Sequence, residues 1–477
     1  MADKNTKKPD KSAVAETYSD YLKRRLSEIT GENKGEIQKD STKSKSAEKK
    51  DEKLRKKEKE EKSEPVNVPE NDVDWKASIK NDNRSSKGQK DKQVDGESED
   101  KKSASVLKRI GFIALAVVLV VVLIVGGYFA FLQMSFSRIE DMKYLEIQNN
   151  SSNRVMAGRE YSISTFNIGF GAYDQNFSFF MDEGEMSNGT VTKGTSSRAD
   201  SEENVKNNIN GAISLIKSKA LSDFYFFQEV DTSSNRSQFV NQVDMLREAF
   251  PEYASSYAVN SHSKFLFYPL AQPIGKMNSG IMTLSKFNVN YAIRRSLPIS
   301  TGMIDKLFDL DRCFSVTKLP ISGVDGKYLV LVNVHLSAYD EGDIRTEQIK
   351  MVYDYIDFEY NHNGNYVIVG GDFNLGLAGD SGIFNNSMKT PNWYKSLPDG
   401  YTKEDFAKIG FSFGYDISTT IGTCRDASIK YTQGVNLEVV IDGFITSGNV
   451  LVSAVETING EFKNSDHNPV RMKFILN

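Results

Sequence analysis

The amino-acid sequence predicts an α/β sandwich, with sheets inside and helices outside, preceded by a charged tail and one apolar segment. Three observations support this fold class. Composition changes sharply along the 477 residues, and residues 110–132 form an uninterrupted apolar run. Beyond residue 161, short β-branched and aromatic runs alternate with helix-like stretches, as expected when strands and helices are mixed in one domain.

The N-terminal segment, residues 1–109, is almost entirely polar and charged. It carries a net charge of about +5, and the rest of the chain carries about −9. Apolar residues are too sparse to offset the entropy of ordering, so we expect a disordered tail. Residues 14–29 are an exception, with apolar residues at helical spacing. They predict either a short amphipathic helix for a partner or a membrane surface, or a transient helix without a role.

The apolar run at 110–132 predicts a transmembrane helix. A helix of about 23 residues spans ~34 Å, which exceeds the ~30 Å hydrocarbon core of a bilayer. More Lys and Arg precede the run than follow it, which predicts a cytoplasmic tail and an extracytoplasmic body. The sequence therefore predicts a single-pass protein of the cell membrane. The tail would be available to a cytoplasmic partner.

The remaining chain is interpreted as a stalk at 133–160 and one domain at 161–477. Strands are predicted at 161–168, 223–230, 280–284, 328–336, 366–370, 439–446 and 470–475. Helices are predicted at 201–219, 238–249 and 343–360. Cys313 and Cys424 could form a disulfide or remain unpaired, and the sequence leaves both open.

The chemistry is indicated by polar residues that lie where predicted strands begin or end. Six apolar runs carry such residues: Asn167, Gln228-Glu229, Asn333 and His335, Asp372 and Asn374, Asp442, and Asp466-His467-Asn468. Each group would be costly to bury alone. Gathered at one edge of the sheets, they would form a carboxylate-rich pocket suited to a hard cation with oxygen ligands.

The Gly370-Gly371-Asp372-Phe373-Asn374 run adds detail to this pocket. The two glycines would let the backbone turn tightly and would leave space for a bulky anion. Asp372 and Asn374 are two residues apart, so in an extended segment their side chains face the same side.

These elements, in this order, resemble the endonuclease/exonuclease/phosphatase superfamily, whose fold is the deoxyribonuclease I-like four-layer α/β/β/α sandwich. The similarity covers roughly residues 161–476. The Gly-Asp-Phe-Asn run, the Ile-Asp strand and the Ser-Asp-His-Asn-Pro run, which ends at Pro469, together carry it. The resemblance implies a divalent-metal-dependent phosphoesterase that uses Mg²⁺ or Mn²⁺. The anchor would bring the domain near lipid, and the acidic body lacks an obvious Lys and Arg stripe, which together favour a phosphodiesterase for lipids or small molecules. The substrate could still be nucleic acid, a lipid head group or a small molecule.

The resemblance also assigns roles to individual residues. The metal-binding roles fall to Glu229, Asn167 and Asp466. The catalytic roles fall to Asp372 as the group that orients or deprotonates water, Asn374 as its partner on the phosphate, His335 as a phosphate contact, and Asp442 paired with His467. An imidazolium held by a carboxylate would stabilise charge that develops on the phosphoryl oxygens. Arg312 and Ser279-Gly280 lie near family elements and receive no role.

Two alternatives belong to other classes. A non-catalytic membrane receptor or scaffold could use the same fold, but it would be expected to lack some of these side chains, and all are present. Alternatively, the tail could be the functional part, as an interaction arm joined to an external sensor domain. The Gly- and Ser-rich stretch at 176–200 predicts either a substrate loop over the site or a variable surface insertion.

Overall fold

The computed structural model describes residues 97–135, 138–300, 311–338, 343–384 and 387–477. The chain divides into two units, with the boundary after Tyr128. The predicted disordered tail up to residue 96, including the helix predicted at 14–29, lies outside the described residues.

The first described element is a 39-residue helix, α1 (Glu97–Ser135). Its section Val106–Phe131 is long and apolar enough to cross a membrane, with a mean hydropathy of 3.1 and no residue buried. The helix begins earlier than predicted, because residues 97–109 were assigned to the disordered tail. The Lys, Glu, Ala and Leu residues there are good helix formers and continue the apolar helix towards the N-terminus.

The second unit contains twenty strands and four further α-helices among its described residues. The helices are α2 (Glu202–Lys219), α3 (Gln242–Ala249), α4 (Ile344–Asp357) and α5 (Lys403–Lys408). The first ten strands are β1 (Lys143–Tyr144), β2 (Ile147–Gln148), β3 (Val155–Met156), β4 (Glu160–Asn167), β5 (Glu183–Glu185), β6 (Val191–Lys193), β7 (Phe224–Asp231), β8 (Ala254–Leu266), β9 (Gly275–Ser285) and β10 (Tyr291–Ser296). The other ten are β11 (Cys313–Ser322), β12 (Tyr328–His335), β13 (Tyr366–Asp372), β14 (Ile383–Phe384), β15 (Phe411–Gly414), β16 (Cys424–Arg425), β17 (Glu438–Val439), β18 (Asp442–Ser447), β19 (Val450–Thr457) and β20 (Val470–Leu476).

Most of these strands belong to two large sheets. The eight-stranded sheet has the order β1-β10-β11-β12-β13-β18-β15, with β3 also paired to β11. The seven-stranded sheet has the order β19-β20-β4-β7-β9-β8-β2. Apolar side chains from both sheets, such as Phe226 and Ile368, share one buried cluster, so the sheets pack face to face. Val205 and Leu246 place α2 and α3 against the other face of the seven-stranded sheet.

Every strand and helix predicted within residues 161–477 has an observed counterpart, but the sequence interpretation omitted several strands. The omitted long ones are β8, β10, β11 and β19. β8 and β10 carry several Ser, Asn, Lys or Arg residues, so their hydrophobic alternation is weak and pairing with neighbouring strands defines them. The predicted stalk is also partly a folded element. From Lys143 onward it contributes β1, β2 and β3, which pair with β10, β8 and β11.

The two glycines before Asp372 serve a different purpose from the one predicted. A Cβ at Gly370 would lie 2.6 Å from the Phe444 ring, and a Cβ at Gly371 would lie 2.0 Å from the Val334 carbonyl oxygen. Gly371 also has a φ of 146°, which favours glycine. Neighbouring protein atoms fill the space above both glycines, so the run permits close packing of β13 and leaves no room for an anion.

A buried ion pair joins Lys318 on β11 to Glu359, which follows α4. Their side chains are 2.7 Å apart and both are buried. Burial opposes both charges, but the pairing outweighs it: the pKa of Glu359 is lowered and the pKa of Lys318 is raised. The stabilisation from Glu359 is therefore present above its ordinary pKa and lost as pH falls through the lowered pKa. The stabilisation from Lys318 is present below its ordinary pKa and lost as pH rises through the raised pKa.

We expect Lys318→Met to lower the free energy of unfolding by about 3–5 kcal/mol, because it leaves the Glu359 carboxylate buried without its cation. Lys318→Met combined with Glu359→Gln should restore part of that loss. Urea denaturation of the full chain, followed by circular dichroism, measures both. Lys193→Met, which removes an exposed pair with Glu183, is the control and should change little. An equal loss in the single and double variants would contradict this account.

Candidate active site

The sheet register brings three of the predicted site residues into one row. His335 at the end of β12 pairs with Asp372 at the end of β13, and Asp372 pairs with Asp442 at the start of β18. Asn167 ends β4 in the facing sheet, and its Nδ2 donates to Asp372 Oδ2 at 3.0 Å. The same end of both sheets therefore supplies the polar side chains. Their convergence follows from strand pairing and from the packing of one sheet on the other.

Glu229 reaches the site through an irregularity in β7. The register of β7 against β9 shifts between Phe227 and Val230, and Glu229 has a φ of 53°. Such a bulge turns a side chain away from the regular alternation of a strand. Glu229 Oε1 consequently lies 3.4 Å from Asn167 Nδ2. The preceding Gln228 is structural, because its Nε2 donates to Asn333 Oδ1 at 2.8 Å and ties the two sheets together.

Asp442 and His467 form a buried acid–imidazole pair. His467 Nδ1 lies 2.8 Å from Asp442 Oδ2, and His467 Nε2 lies 3.7 Å from Asp372 Oδ2. Burial by itself would lower the pKa of His467. The Asp442 carboxylate, together with Asp372, outweighs burial and raises the pKa of His467 well above its ordinary value. The pairing therefore favours the imidazolium form of His467, whose Nε2 side faces Asp372.

Asp372 lies at the centre of this hydrogen-bond network. Its Oδ1 accepts from the Asn374 backbone N–H at 2.9 Å, and its Oδ2 accepts from Asn167 and from Asn374 Nδ2. Burial, together with the Asp442 charge, raises the pKa of Asp372 to about 7. A carboxylate with such a pKa can accept a proton near neutral pH, which suits a general base.

His335 and Asn374 flank Asp372. Burial and the charge of Arg312 hold the pKa of His335 well below its ordinary value, so its imidazole is neutral. Its Nε2 lies 3.5 Å from Asp372 Oδ2. Asn374 has a φ of 50°, and its Nδ2 also donates to the Leu336 carbonyl at 2.9 Å. The turn at Asn374 thus fixes the orientation of Asp372 and leaves a neutral imidazole beside it.

A cleft of about 170 Å³ opens over these groups. Six of the eight predicted site residues line it: Glu229, His335, Asp372, Asn374, Asp466 and His467. The other two, Asn167 and Asp442, are buried behind its wall, at 0 % and 1 % exposure. All eight are brought together, but Asn167 and Asp442 can act only through the side chains that they hold.

Arg236 is a site residue that the sequence interpretation missed. Its guanidinium binds Asp231 through two nitrogens at 2.9 Å, lies 3.3 Å from Glu229 Oε2 and covers the Phe170 ring. Arg236 lines the cleft together with Arg312 and Ser279, and it donates a hydrogen bond to the Ser279 hydroxyl. It follows Glu229 on a short 3₁₀ helix, Asn235–Ser237, where no spacing pattern marks an arginine as functional. These cations would attract a phosphate.

Two groups of side chains are candidates for holding a cation. The ligand atoms of Asp372, Asp442 and His467 lie within 4.8 Å of one another. However, Asp442 and His467 are already hydrogen-bonded to each other, and a protonated imidazole does not coordinate a metal. Glu229 and Asp466 fit better because both offer hard carboxylate oxygens to the cleft. Burial, with the Glu229 charge adding to it, raises the pKa of Asp466 to about 6, so a cation there would relieve their repulsion.

Asn167 was predicted to bind metal, but its amide is oriented differently. Its Oδ1 accepts the Gly169 N–H at 3.0 Å, so its Nδ2 faces the carboxylates of Glu229 and Asp372. In this arrangement Asn167 orients carboxylates and offers no oxygen to the cleft. The two cysteines are both unpaired and buried, and Cys424 lies in the cleft wall, bridged through its backbone to His467.

The stretch at 176–200 packs tightly onto the domain. Phe177, Phe179 and Phe180 are buried in the cluster beneath α2 and α3. Phe179 lines the cleft together with Met181 and Asp182. The stretch is thus part of the cleft wall, and most of its aromatic surface is used for packing.

Comparison with known proteins identifies the family. The model of the Endonuclease/Exonuclease/phosphatase family matches residues 165–467. An endonuclease/exonuclease/phosphatase from Beutenbergia cavernae is 14% identical, with a TM-score of 0.42, over 67% of this chain and 72% of that chain. Truncated TDP2 from Caenorhabditis elegans is 16% identical, with a TM-score of 0.40, over 67% and 99%. A family protein from Leptotrichia buccalis is 16% identical, with a TM-score of 0.40, over 65% and 98%.

No curated protein matches the chain. The family match nevertheless extends over more than half of the sequence. It begins at Thr165, beside Asn167, and ends at His467, so it encloses all of the site residues described above. The chain therefore belongs to the Endonuclease/Exonuclease/phosphatase family.

Proposed function

We propose that this protein is a membrane-anchored, divalent-metal-dependent phosphodiesterase that hydrolyses its substrate by attack of water. The observation that carries the proposal is the buried Asp442–His467 pair, 2.8 Å apart, which faces Asp372 at the base of a cleft. Members of this family are generally phosphoesterases or nucleases. The pair, the carboxylate and the cationic cleft wall suit that chemistry.

Each side chain has a distinct part in the proposed reaction. Asp372 accepts the proton of the attacking water, since its pKa lies near 7. The His467 imidazolium donates to a phosphoryl oxygen on which negative charge develops. Neutral His335 donates a further hydrogen bond to the phosphate. Asn374 and the buried Asn167 hold Asp372 in position.

Glu229 and Asp466 would hold the Mg²⁺ or Mn²⁺ ion. When bound, such an ion neutralises phosphate charge and stabilises the leaving oxygen. Arg236 holds Glu229 in position through its contacts with Glu229 and Asp231. Asn167 lies behind the cleft wall and holds both carboxylates in place, because its amide nitrogen contacts Glu229 and Asp372.

The anchoring part of the proposal is supported by the apolar section Val106–Phe131. The excess of Lys and Arg before it favours a cytoplasmic N-terminus and an extracytoplasmic catalytic domain. Protease treatment of intact cells tests this orientation. The catalytic domain should be cleaved from outside while the N-terminal tail is protected, and the reverse pattern would contradict it.

The reaction is tested with the purified full chain in detergent. It should hydrolyse a generic phosphodiester, bis-p-nitrophenyl phosphate, with Mg²⁺ or Mn²⁺, and EDTA should stop hydrolysis reversibly. A panel of DNA, RNA, sphingomyelin and inositol phosphates would then identify the substrate. Hydrolysis that is unaffected by EDTA would exclude the metal-dependent part of the proposal.

We expect Glu229→Gln and Asp466→Asn each to raise the Mg²⁺ concentration for half-maximal activity by at least about tenfold, because each removes a charged oxygen ligand. Isothermal titration calorimetry with Mn²⁺ provides a readout that does not depend on turnover. Glu438→Gln is the matched control, since Glu438 is partly buried, binds Tyr431 and does not line the cleft. Unchanged metal binding in both site variants would place the ion elsewhere.

A further inference from the structure

The tip of the β8–β9 hairpin, residues 264–276, exposes an unusual amount of apolar surface. Leu270 is 71% exposed, Tyr268 is 51% exposed and Phe267 is 48% exposed, and Phe265 is exposed beside them. These side chains lie within six consecutive residues, so they form one continuous patch. Exposed clusters of large apolar side chains commonly mark interaction sites.

The same hairpin also forms part of the cleft. Leu266, Ile274 and Met277 are buried and line the cleft wall. Because side chains alternate along a strand, Leu266 faces the cleft while its neighbours Phe265 and Phe267 face outward. The patch is therefore attached directly to the wall of the active site, and whatever it binds is held beside the cleft.

The stretch of sequence that contains the patch carries basic residues and no acidic ones. The sequence contains no Asp or Glu between Glu252 and Asp305, although the chain has 64 acidic residues. Lys264 and Lys276 flank the tip, and both are exposed. In a domain with net negative charge, this stretch is cationic and apolar at once. That combination suits an anionic lipid surface, which attracts basic residues and accommodates aromatic side chains at its interface.

We propose that the tip of the β8–β9 hairpin is a docking surface for an anionic lipid bilayer. The inference rests on the proposed function in one respect: the apolar section of α1 would keep the domain close to a membrane. A second copy of the chain is a less suitable occupant, because the flanking lysines would face each other across a symmetric contact. Docking would hold the cleft against the bilayer surface.

The test uses three fluorophore positions in the full chain. Leu270→Cys reports on the hairpin, Val117→Cys reports on the anchor, and Leu451→Cys is the control. Leu451 is 51% exposed and lies on β19, the edge strand at the other end of the same sheet. The native cysteines are buried, so an environment-sensitive thiol probe labels the added one. Each protein is reconstituted into vesicles of phosphatidylcholine and phosphatidylserine, with and without lipids that carry a nitroxide quencher.

We expect the probes at 270 and 117 to shift to shorter wavelength and to be quenched by the nitroxide lipids, and the probe at 451 to do neither. Replacing phosphatidylserine with phosphatidylcholine, or introducing Lys264→Glu with Lys276→Glu, should lower quenching at 270 by about twofold or more. The same charge reversal should leave quenching at 117 unchanged.

The outcomes separate this inference from the proposed function. If the probe at 117 is quenched and the probe at 270 behaves like the probe at 451, the docking surface is excluded and the membrane anchor is supported. If 270 is quenched and 117 is not, the anchor fails and the docking surface stands. A third outcome is that the emission of the probe at 270 shifts in detergent without lipid, by an amount that grows with protein concentration. That result would show that a second copy of the chain is the occupant, and it would overturn the inference. None of these readouts requires turnover.

Discussion

Asp372→Asn should lower kcat by about 10²–10⁴-fold, with little change in KM, because it removes the proton acceptor from the base of the cleft. The substitution is nearly isosteric. Its single carboxamide oxygen can accept either from the Asn374 backbone N–H, which binds Oδ1 of Asp372, or from Asn167, which binds Oδ2, so one of these hydrogen bonds is lost. The loss of rate should fall mainly on the chemical step, because the proton acceptor is removed. Steady-state kinetics on bis-p-nitrophenyl phosphate, with Mg²⁺ in excess, measures it.

Asp416→Asn is the matched control for Asp372→Asn. Asp416 is also a buried aspartate, hydrogen-bonded to Ser418 and to the Thr457 backbone, and it does not line the cleft. The Asp416→Asn variant should retain full activity. If Asp372→Asn also retained full activity while folding normally, Asp372 would not be the base.

The pH dependence of the rate follows from the same carboxylate. In the proposed reaction Asp372 acts in its deprotonated form, so the rate should rise as pH rises through the pKa of Asp372. That pKa is about 7 in the protein without a bound cation, because burial and the Asp442 charge raise it. A cation held by Glu229 and Asp466 adds positive charge nearby, which lowers the pKa and moves the rise in rate to lower pH.

Asp442→Asn should lower kcat by about 10²–10³-fold, because His467 loses the carboxylate that keeps it protonated. Asp442 lies behind the cleft wall, so it is a positioning residue that acts through His467. His467→Gln should lower kcat by at least the same factor. The double variant should be no worse than His467→Gln alone, since the two residues act as one unit.

The direction in which the pKa of His467 changes in Asp442→Asn distinguishes a positioning role of Asp442 from a purely structural one. His467 has a raised pKa, so its stabilising contribution is present below its ordinary pKa and is lost as pH rises through the raised value. In Asp442→Asn the pKa of His467 should fall, and the alkaline limit of activity should move to lower pH. The chain has four histidines, so NMR titration of the metal-free protein can resolve each. An unchanged His467 pKa in Asp442→Asn would refute the pairing.

The sequence was most informative where polar residues interrupt apolar strands. Glu229, Asp372 and His467 could be predicted because a lone buried charge is costly, and six such positions in one domain indicate a shared pocket. Asn167 and Asp442 were predicted as part of that pocket for the same reason. Their placement behind the wall could not be read from the sequence, because strand alternation specifies a face but not the depth of a side chain.

Other features depended wholly on the packing of the sheets. Arg236 enters the site from a short 3₁₀ helix, and the bulge in β7 contains Glu229, which lies 3.3 Å from it. The glycines before Asp372 were interpreted as space for an anion. They are required instead by the Phe444 ring and the Val334 carbonyl, which belong to neighbouring strands.

The sequence by itself determined the apolar segment and predicted the α/β class, because composition and periodicity are local properties of the chain. The resemblance of the motifs, in their order, to the family selected the eight predicted site residues from the polar strand ends. Only the tertiary structure decided which of the eight line the cleft and which cations join them. Asn167 and Asp372 are 205 residues apart in the sequence, yet a hydrogen bond of 3.0 Å joins them. Such a distance is set by how two sheets pack, because a local pattern contains no information about separation in space.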